Sequence, residues 1–219
     1  MSPEANNWEN ATEGRLGERY EAFDGSSRGR LLAALPTVVA HGGYREATVE
    51  RVLETAHVSW SEFSREFEDL DALFLATLDA GMDCAVAAAE RGARAARAGG
   101  DPEAALAGFL DGLLEAVAAR PDLTLLCLVE SAALGARAVE RKQAGLQRFV
   151  ASVADLLGAS GPHVSLPPLA AEMVVGGIHE VLQRKARADE LGDVQELTDD
   201  LSRLWLPVLR ATTRGVSDV

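Results

Sequence analysis

Residues Ala47–Leu78 read ATVERVLETAHVSWSEFSREFEDLDALFLATL, and this stretch decides the fold. Thr48 is a good N-cap for a short helix over Val49–Thr55. After a turn, Ser59 begins a second helix, and Glu62 stands three residues later, as a capping box requires. This order predicts a helix-turn-helix motif, in which the first helix braces and the second enters the DNA major groove.

The second helix and its flanks carry a recognisable pattern, which runs Val58, Ser59, Trp60, Ser61, Glu62, Phe63, Ser64, Arg65, Glu66, Phe67, Glu68, Asp69, Leu70, Asp71, Ala72 and Leu73. Upstream, Arg30–Tyr44 reads RLLAALPTVVAHGGY. The apolar framework resembles the TetR family of bacterial transcriptional regulators, including that family's first helix and the glycine-aromatic turn after it. The resemblance implies an all-α fold.

Three regions are expected along the chain. Residues 1–25 are expected to form an acidic, flexible tail. Residues 26–68 are expected to form a three-helix helix-turn-helix domain. Residues 69–213 predict a helical domain that binds an effector and dimerises, as the resemblance implies. The composition, 47% hydrophobic with only 5% aromatic residues, suits a helical protein.

The DNA-contacting positions depart from the family pattern. TetR-like proteins usually carry tyrosine where Ser64 stands, histidine where Glu66 stands and lysine where Leu70 stands, and these residues typically hold phosphates. At the start of the second helix, Glu62 stands where the family has a small or hydroxylic residue. Its carboxylate would either repel DNA without preventing binding or accept a hydrogen bond from a cytosine amino group. The candidates for DNA contact are Arg28, Arg30, Arg45, Thr48, Arg51, Ser59, Trp60, Ser61, Glu62, Ser64 and Arg65.

The charge of the chain leaves two interpretations open. The net charge is −13, and residues 26–80 carry nine acidic and five basic residues, a net of −4. A DNA-binding domain is expected to be locally basic. Either the acids face away from DNA, or the chain is a TetR-like protein-interaction module that has lost operator binding. Trp60 would contact DNA, bind a partner protein or fold back onto apolar neighbours.

Helical periodicity and helix-breaking residues divide the rest of the chain. A first helix is expected over Arg28–Ala40, bent or split by Pro36. A proline-containing loop is expected over Gly158–Pro168. The remaining helices are predicted over Asp69–Ala98, Glu103–Ala119, Leu123–Ala133, Ala136–Leu157, Leu169–Ala188 and Asp193–Arg210.

The last two helices carry an apolar seam. Its members recur at heptad-like spacing in the final helix, and paired glycines lie in the helix before it. The last two helices would pack against each other within one subunit or, as the resemblance implies, pair across a two-fold axis in a homodimer. The predicted interface comprises Met173, Gly177, Val181, Val194, Leu197, Leu201, Leu204 and Val208.

An apolar effector pocket is expected between the fourth helix and the helices after it, because TetR-like regulators bind small molecules there. The predicted lining comprises Leu78, Met82, Val86, Phe109, Leu113, Leu126, Cys127, Val129, Glu130, His179 and Gln183. No nucleophile elbow, phosphate loop or metal motif is evident, so neither catalysis nor a metal or cofactor is expected.

The cysteines and the apolar runs indicate the cellular compartment of the protein. Cys84 and Cys127 are isolated thiols in apolar helical surroundings, which favours buried structural cysteines. Met1–Asn10 is polar, and no apolar run approaches the roughly 20 residues of a membrane span. A cytoplasmic regulator, of repressor type, that binds operator DNA and a small apolar effector is therefore expected.

Overall fold

Nine α-helices and four short 3-10 turns make up the architecture of the described residues, and none of these residues lies in a β-strand. The computed structural model describes residues 21–97, 102–158 and 168–214. The predicted all-α class is confirmed. The helices are α1 (Ser27–Ala40), α2 (Val49–Ala56), α3 (Trp60–Glu66), α4 (Leu70–Ala96), α5 (Pro102–Ala119), α6 (Pro121–Leu128), α7 (Ala136–Gly158), α8 (Pro168–Arg187) and α9 (Leu197–Arg214).

The helix-turn-helix motif is formed by α2 and α3, and both predicted caps are confirmed. The Thr48 hydroxyl accepts a hydrogen bond from the Arg51 N–H at 3.4 Å at the start of α2. At the start of α3, the Ser59 hydroxyl accepts from the Glu62 N–H, and the Glu62 carboxylate accepts from the Ser59 N–H at 2.9 Å. His57 turns the chain between the helices with φ of 52°.

Helix α1 is the buried brace of this domain. It runs unbroken from Ser27 to Ala40 with Pro36 inside it, so the prediction of a split helix is wrong. Pro36 is buried against the core, and that packing offsets the backbone bond that proline cannot donate. Gly43 then takes φ of 76°, which glycine adopts without steric cost, as the chain turns toward α2.

Glycines set the close contact between α4 and α5. A Cβ placed on Gly92 would lie 2.0 Å from the Gly108 carbonyl oxygen, and one on Gly112 would lie 2.3 Å from the Ala88 carbonyl oxygen. Only hydrogen fits at these positions, so the two helix backbones approach directly. The sequence analysis does not anticipate this small-residue contact.

Two predicted helices differ from those observed. The helix expected over Leu123–Ala133 ends at Leu128, and a 3-10 turn, Glu130–Leu134, follows it. The buried Ser131 hydroxyl donates to the Cys127 carbonyl at 2.9 Å, so a side chain competes for the backbone at the break. The final helix is preceded by the turn Val194–Glu196 and extends to Arg214.

Not every prediction falls on described residues. The expected tail lies outside them for residues 1–20, and the expected proline-containing loop lies outside them for residues 159–167. The expected extension of the fourth helix to Ala98 also lies outside at its last residue.

Helix α4 is the central helix of the larger domain. By length and composition it is the one described helix apolar enough to cross a membrane, although 56% of its most apolar window is buried inside the protein. This differs from the expectation of no membrane-length apolar run, because Asp79 and Asp83 interrupt the apolar residues of this helix in the sequence. Leu73, Phe74 and Leu78 on α4 are fully buried in the core, as in the core helix of a helical domain.

Candidate functional sites

The outer surface of α3 is polar except at its first residue. Trp60 is 59% exposed, and its ring stacks on Phe63 with centroids 5.7 Å apart. Phe63 is buried and anchors the helix to the core. The other exposed side chains that α3 offers from the predicted set are Ser61, Ser64 and Arg65.

Glu62 is bound back into the protein. Its Oε2 accepts from the Ser59 hydroxyl at 2.6 Å, and its Oε1 accepts from the Ser27 hydroxyl at 2.7 Å. Arg30 lies 3.9 Å from Oε1. The hydrogen bonds from Ser59, followed by that from Ser27, lower the pKa of Glu62 to about 2. Both carboxylate oxygens are therefore occupied, and reading a cytosine would require breaking these contacts.

A second ion pair joins the same two helices. Arg28 lies 3.6 Å from Glu66, and its guanidinium lies 4.7 Å from the centroid of the Phe67 ring. The two arginines of α1 thus lie against the two glutamates of α3, and their positive charges offset the negative charge of α3. The exposed cations left in the predicted set are Arg45, Arg51 and Arg65.

The helix-turn-helix domain touches the larger domain through Tyr44. The Tyr44 N–H donates to the Glu130 carboxylate at 2.9 Å, and its hydroxyl donates to Asp71. Burial and the Asp71 hydrogen bond raise the pKa of Tyr44 above its ordinary value. Its ring meets Phe74 edge to face at 4.8 Å. Glu130, predicted to line the pocket, contacts Tyr44 of the helix-turn-helix domain instead.

A further contact between the domains centres on Arg120. Its Nε and Nη2 each donate to Asp122, both at 3.0 Å, and Nη2 lies 3.4 Å from the Ala33 carbonyl of α1. The Thr37 hydroxyl of α1 donates to Asp122 at 3.2 Å. The sequence pattern does not predict this cluster. The signal that could have indicated it is a single arginine, Arg120, between two apolar helices.

A cavity of about 80 Å³ lies among α4, α5, α6, α7 and α8. Five of the predicted residues line it: Met82, Phe109, Leu113, Cys127 and His179. The other predicted residues lie elsewhere. Leu78 and Leu126 are fully buried in the core, Val86 and Val129 pack partly buried against it, and the Gln183 amide donates to the Leu128 carbonyl at 2.6 Å.

Few polar groups reach the cavity wall, and they lie at the start of α6, within α6 and on α8. Arg120 and Thr124 line it beside the helix-turn-helix domain, and His179 lines it from α8. The His179 Nε2 is buried without a hydrogen-bond partner among the described residues. Burial, followed by the charge of Lys142, lowers the pKa of His179, so the ring is neutral at pH 7.

The two cysteines are buried, as predicted. Burial raises the pKa of the Cys127 thiol to about 12, which keeps it protonated at neutral pH. Among the described residues, no cluster of three or more His, Cys, Asp or Glu side chains is placed to hold a metal ion.

The predicted dimer residues divide between surface and core. Met173 and Leu204 are 59% and 65% exposed, and Leu169 beside them is 61% exposed. A Cβ on Gly177 would lie 3.3 Å from Trp205 of the same chain, so this glycine serves packing within one subunit. Val194 and Leu201 are buried, Val181 and Leu197 are half-buried, and the Val208 side chain lies outside the described part.

Comparisons with known proteins yield structures but no sequence family. No protein-family model matches the chain, and no curated protein matches it. The fatty acid degradation regulator FadR from Bacillus halodurans superposes with a TM-score of 0.71 at 19% identity, over 81% of this chain and 96% of that one. The transcriptional regulator FadR from Bacillus subtilis, solved with stearoyl-CoA, gives 0.68 at 17% identity, over 87% and 98%.

A protein of unknown function from Rhodococcus sp. RHA1 is also similar, with a TM-score of 0.62 at 21% identity, over 87% of this chain and 97% of that one. At these identities the likeness establishes the fold. The chain shares the fold of these proteins, an N-terminal helix-turn-helix followed by a helical domain, as its TetR resemblance implies.

Proposed function

We propose that this chain is a ligand-responsive, DNA-binding transcriptional regulator of repressor type, which acts as a cytoplasmic homodimer. The observation that carries the proposal is the position of Arg120. This residue lines the cavity and also reaches the Ala33 carbonyl of α1. A molecule in the cavity would therefore contact Arg120. Its binding could displace the guanidinium from α1, the buried helix of the DNA-binding domain.

The surface of the helix-turn-helix domain supports DNA as the partner. Arg45, Arg51 and Arg65 are exposed, and each is long enough to reach a phosphate. The glutamates of α3 are held by arginines of α1, so they repel DNA less than their number suggests. In a dimer, two copies of α3 would read half-sites about 34 Å apart.

Exposure of Trp60 favours one competing function, the protein-interaction module without an operator. Selection of bound sequences from random duplex DNA at low salt separates the two. Enrichment of a palindromic motif supports the regulator, because two-fold protein symmetry imposes two-fold DNA symmetry. If no motif is enriched while the folded protein is present, the regulator proposal fails and the interaction module is favoured.

A ligand test follows from the same experiment. Once a motif is known, binding of the labelled duplex is measured in the presence of candidate apolar molecules. Release of DNA by one of them supports a repressor whose effector lowers operator affinity. Tighter DNA binding would instead support a co-repressor, and it would reverse the proposed direction of regulation.

A further inference from the structure

His179 lines the cavity on its α8 side, and a basic cluster borders the cavity there without lining it: Lys142, Gln183 and Arg187. Gln183 and the Lys142 ammonium converge on one acceptor, the Leu128 carbonyl, at 2.6 and 3.4 Å. His179, Gln183 and Arg187 are spaced by four residues along α8, so they share one face of that helix.

The cluster carries charge that the protein itself leaves unmatched. Neither Lys142 nor Arg187 forms an ion pair with a described residue, although the chain as a whole carries a net charge of −13. Lys142 is half-buried, and the proximity of Arg187 adds to the burial that lowers its pKa. The exposed Glu180 acts on His179 in the opposite direction, because its negative charge raises the pKa that Lys142 and Arg187 lower.

The opposite end of the cavity differs. There, the guanidinium of Arg120 is matched by Asp122 through two hydrogen bonds of 3.0 Å. An anion placed at that end would meet a neutral pair. An anion placed at the α8 end would meet two unmatched cations and the unpartnered Nε2 of His179. Between the ends, the wall is apolar.

We propose that the effector is an amphipathic anion, whose apolar tail fills the cavity and whose carboxylate or phosphate head group binds Lys142, His179 and Arg187. This inference rests on the proposed function and specifies the ligand of the same cavity. The Nε2 of His179 would donate to the head group in the neutral tautomer that carries its proton there. Lys142 would supply a charge-assisted hydrogen bond.

Four eight-carbon probes with different head groups test the proposal by calorimetric titration of the full chain at neutral pH: octanoate, octyl phosphate, octanol and octylamine. We expect at least one anion to bind about tenfold more tightly than octanol, since one good charged contact gives about 1.4 kcal/mol. Octylamine should bind most weakly. The tighter of the two anions identifies the head group.

Single substitutions identify the side chains that bind the anionic head group. Lys142→Met and the surface variant Arg187→Gln should each weaken binding of the anion and leave that of octanol unchanged. Glu180→Gln should strengthen binding of the anion by removing repulsion. The matched control is Lys185→Met, because Lys185 is already paired with Glu190 at 3.4 Å, whereas Lys142 and Arg187 form no ion pair with a described residue. Ala85→Leu, which fills the cavity, should weaken all the probes.

Equal affinity for octanol and for both anions would overturn the proposal, as would an anion preference that survives both Lys142→Met and Arg187→Gln. Absence of binding by every probe would overturn it too. Selection of DNA by the ligand-free protein is independent of these titrations. An enriched motif together with failed titrations would leave the regulator standing and reject the anionic effector.

Discussion

Arg28 of α1 lies 3.6 Å from Glu66 at the end of α3, and its guanidinium also covers the Phe67 ring at 4.7 Å. One side chain therefore joins α1 to α3, and in the proposed regulator this pairing withholds a cation that could otherwise contact DNA. The pair is partly exposed, so its contribution to stability is small. Its larger effect is on the charge that this domain presents.

Glu66→Gln should strengthen DNA binding. The change removes one negative charge from α3 and releases Arg28 to contact a phosphate, so the salt dependence should steepen by about one unit. Fluorescence anisotropy on a random duplex at several salt concentrations measures both effects. Glu54→Gln, on the exposed side of α2, is the control for simple charge removal. If the two variants behave alike, release of Arg28 is not the cause.

Arg65→Ala should weaken binding to all DNA sequences and flatten the salt slope by about one unit. The reason is that Arg65 is an exposed cation on α3, the helix that the proposed function places against DNA. Arg51→Ala should act in the same direction, since Arg51 extends from the first turn of α2. Arg94→Ala, on the last turn of α4, provides the control. Equal loss in Arg65→Ala and Arg94→Ala would rule out a specific phosphate contact.

Local signals predict the helix-turn-helix well, and long-range contacts explain what they miss. The Thr48 and Ser59 caps follow from nearest-neighbour chemistry, which the sequence displays directly. The link between Ser27 and Glu62 crosses 35 residues and depends on how α1 packs against α3. No periodicity reports such a contact, so Glu62 was predicted to face DNA.

The cavity shows the same limit. Helical spacing identifies apolar faces but does not say which of them meet. Leu78 and Met82 are one turn apart on α4, yet Leu78 is fully buried in the core and Met82 lines the cavity. Arg120 was missed because its role depends on α1, which is distant in sequence.

Glu62 should make stability depend on pH in the acid range. Its pKa is lowered to about 2 from an ordinary value of 4.5, so its contribution is present above pH 4.5 and is lost as the pH falls toward 2. Glu62→Ala should therefore lower the melting temperature at pH 7, and its difference from the native chain should shrink below pH 4.5. Thermal unfolding followed by circular dichroism tests this, with Glu54→Ala as the control. A constant difference from pH 7 down to about 2 would exclude the carboxylate as the cause.

Leu204→Glu should convert the proposed homodimer to a monomer. Leu204 is 65% exposed on α9, so a carboxylate there would disrupt an apolar interface without disturbing the core. Leu201→Glu is a poor test because Leu201 is buried in its own chain. Light scattering measures the mass, and Val139→Glu, at an apolar position 48% exposed on α7, is the control. A monomeric native protein would reject the dimer.

Glu130→Ala should loosen the attachment of the helix-turn-helix domain to the larger domain. The Tyr44 N–H would lose its acceptor at 2.9 Å, and hydrogen bonds to charged groups contribute about 1.5–3 kcal/mol. Amide hydrogen exchange should accelerate at Tyr44 and in the turn Tyr44–Glu46, while the core of α5 stays protected. Glu140→Ala, an exposed position on α7, controls for loss of a surface charge. If exchange at Tyr44 is unchanged in Glu130→Ala, this contact does not couple the two domains, and the coupling depends on the Arg120 cluster and on the contacts of Tyr44 with Asp71 and Phe74.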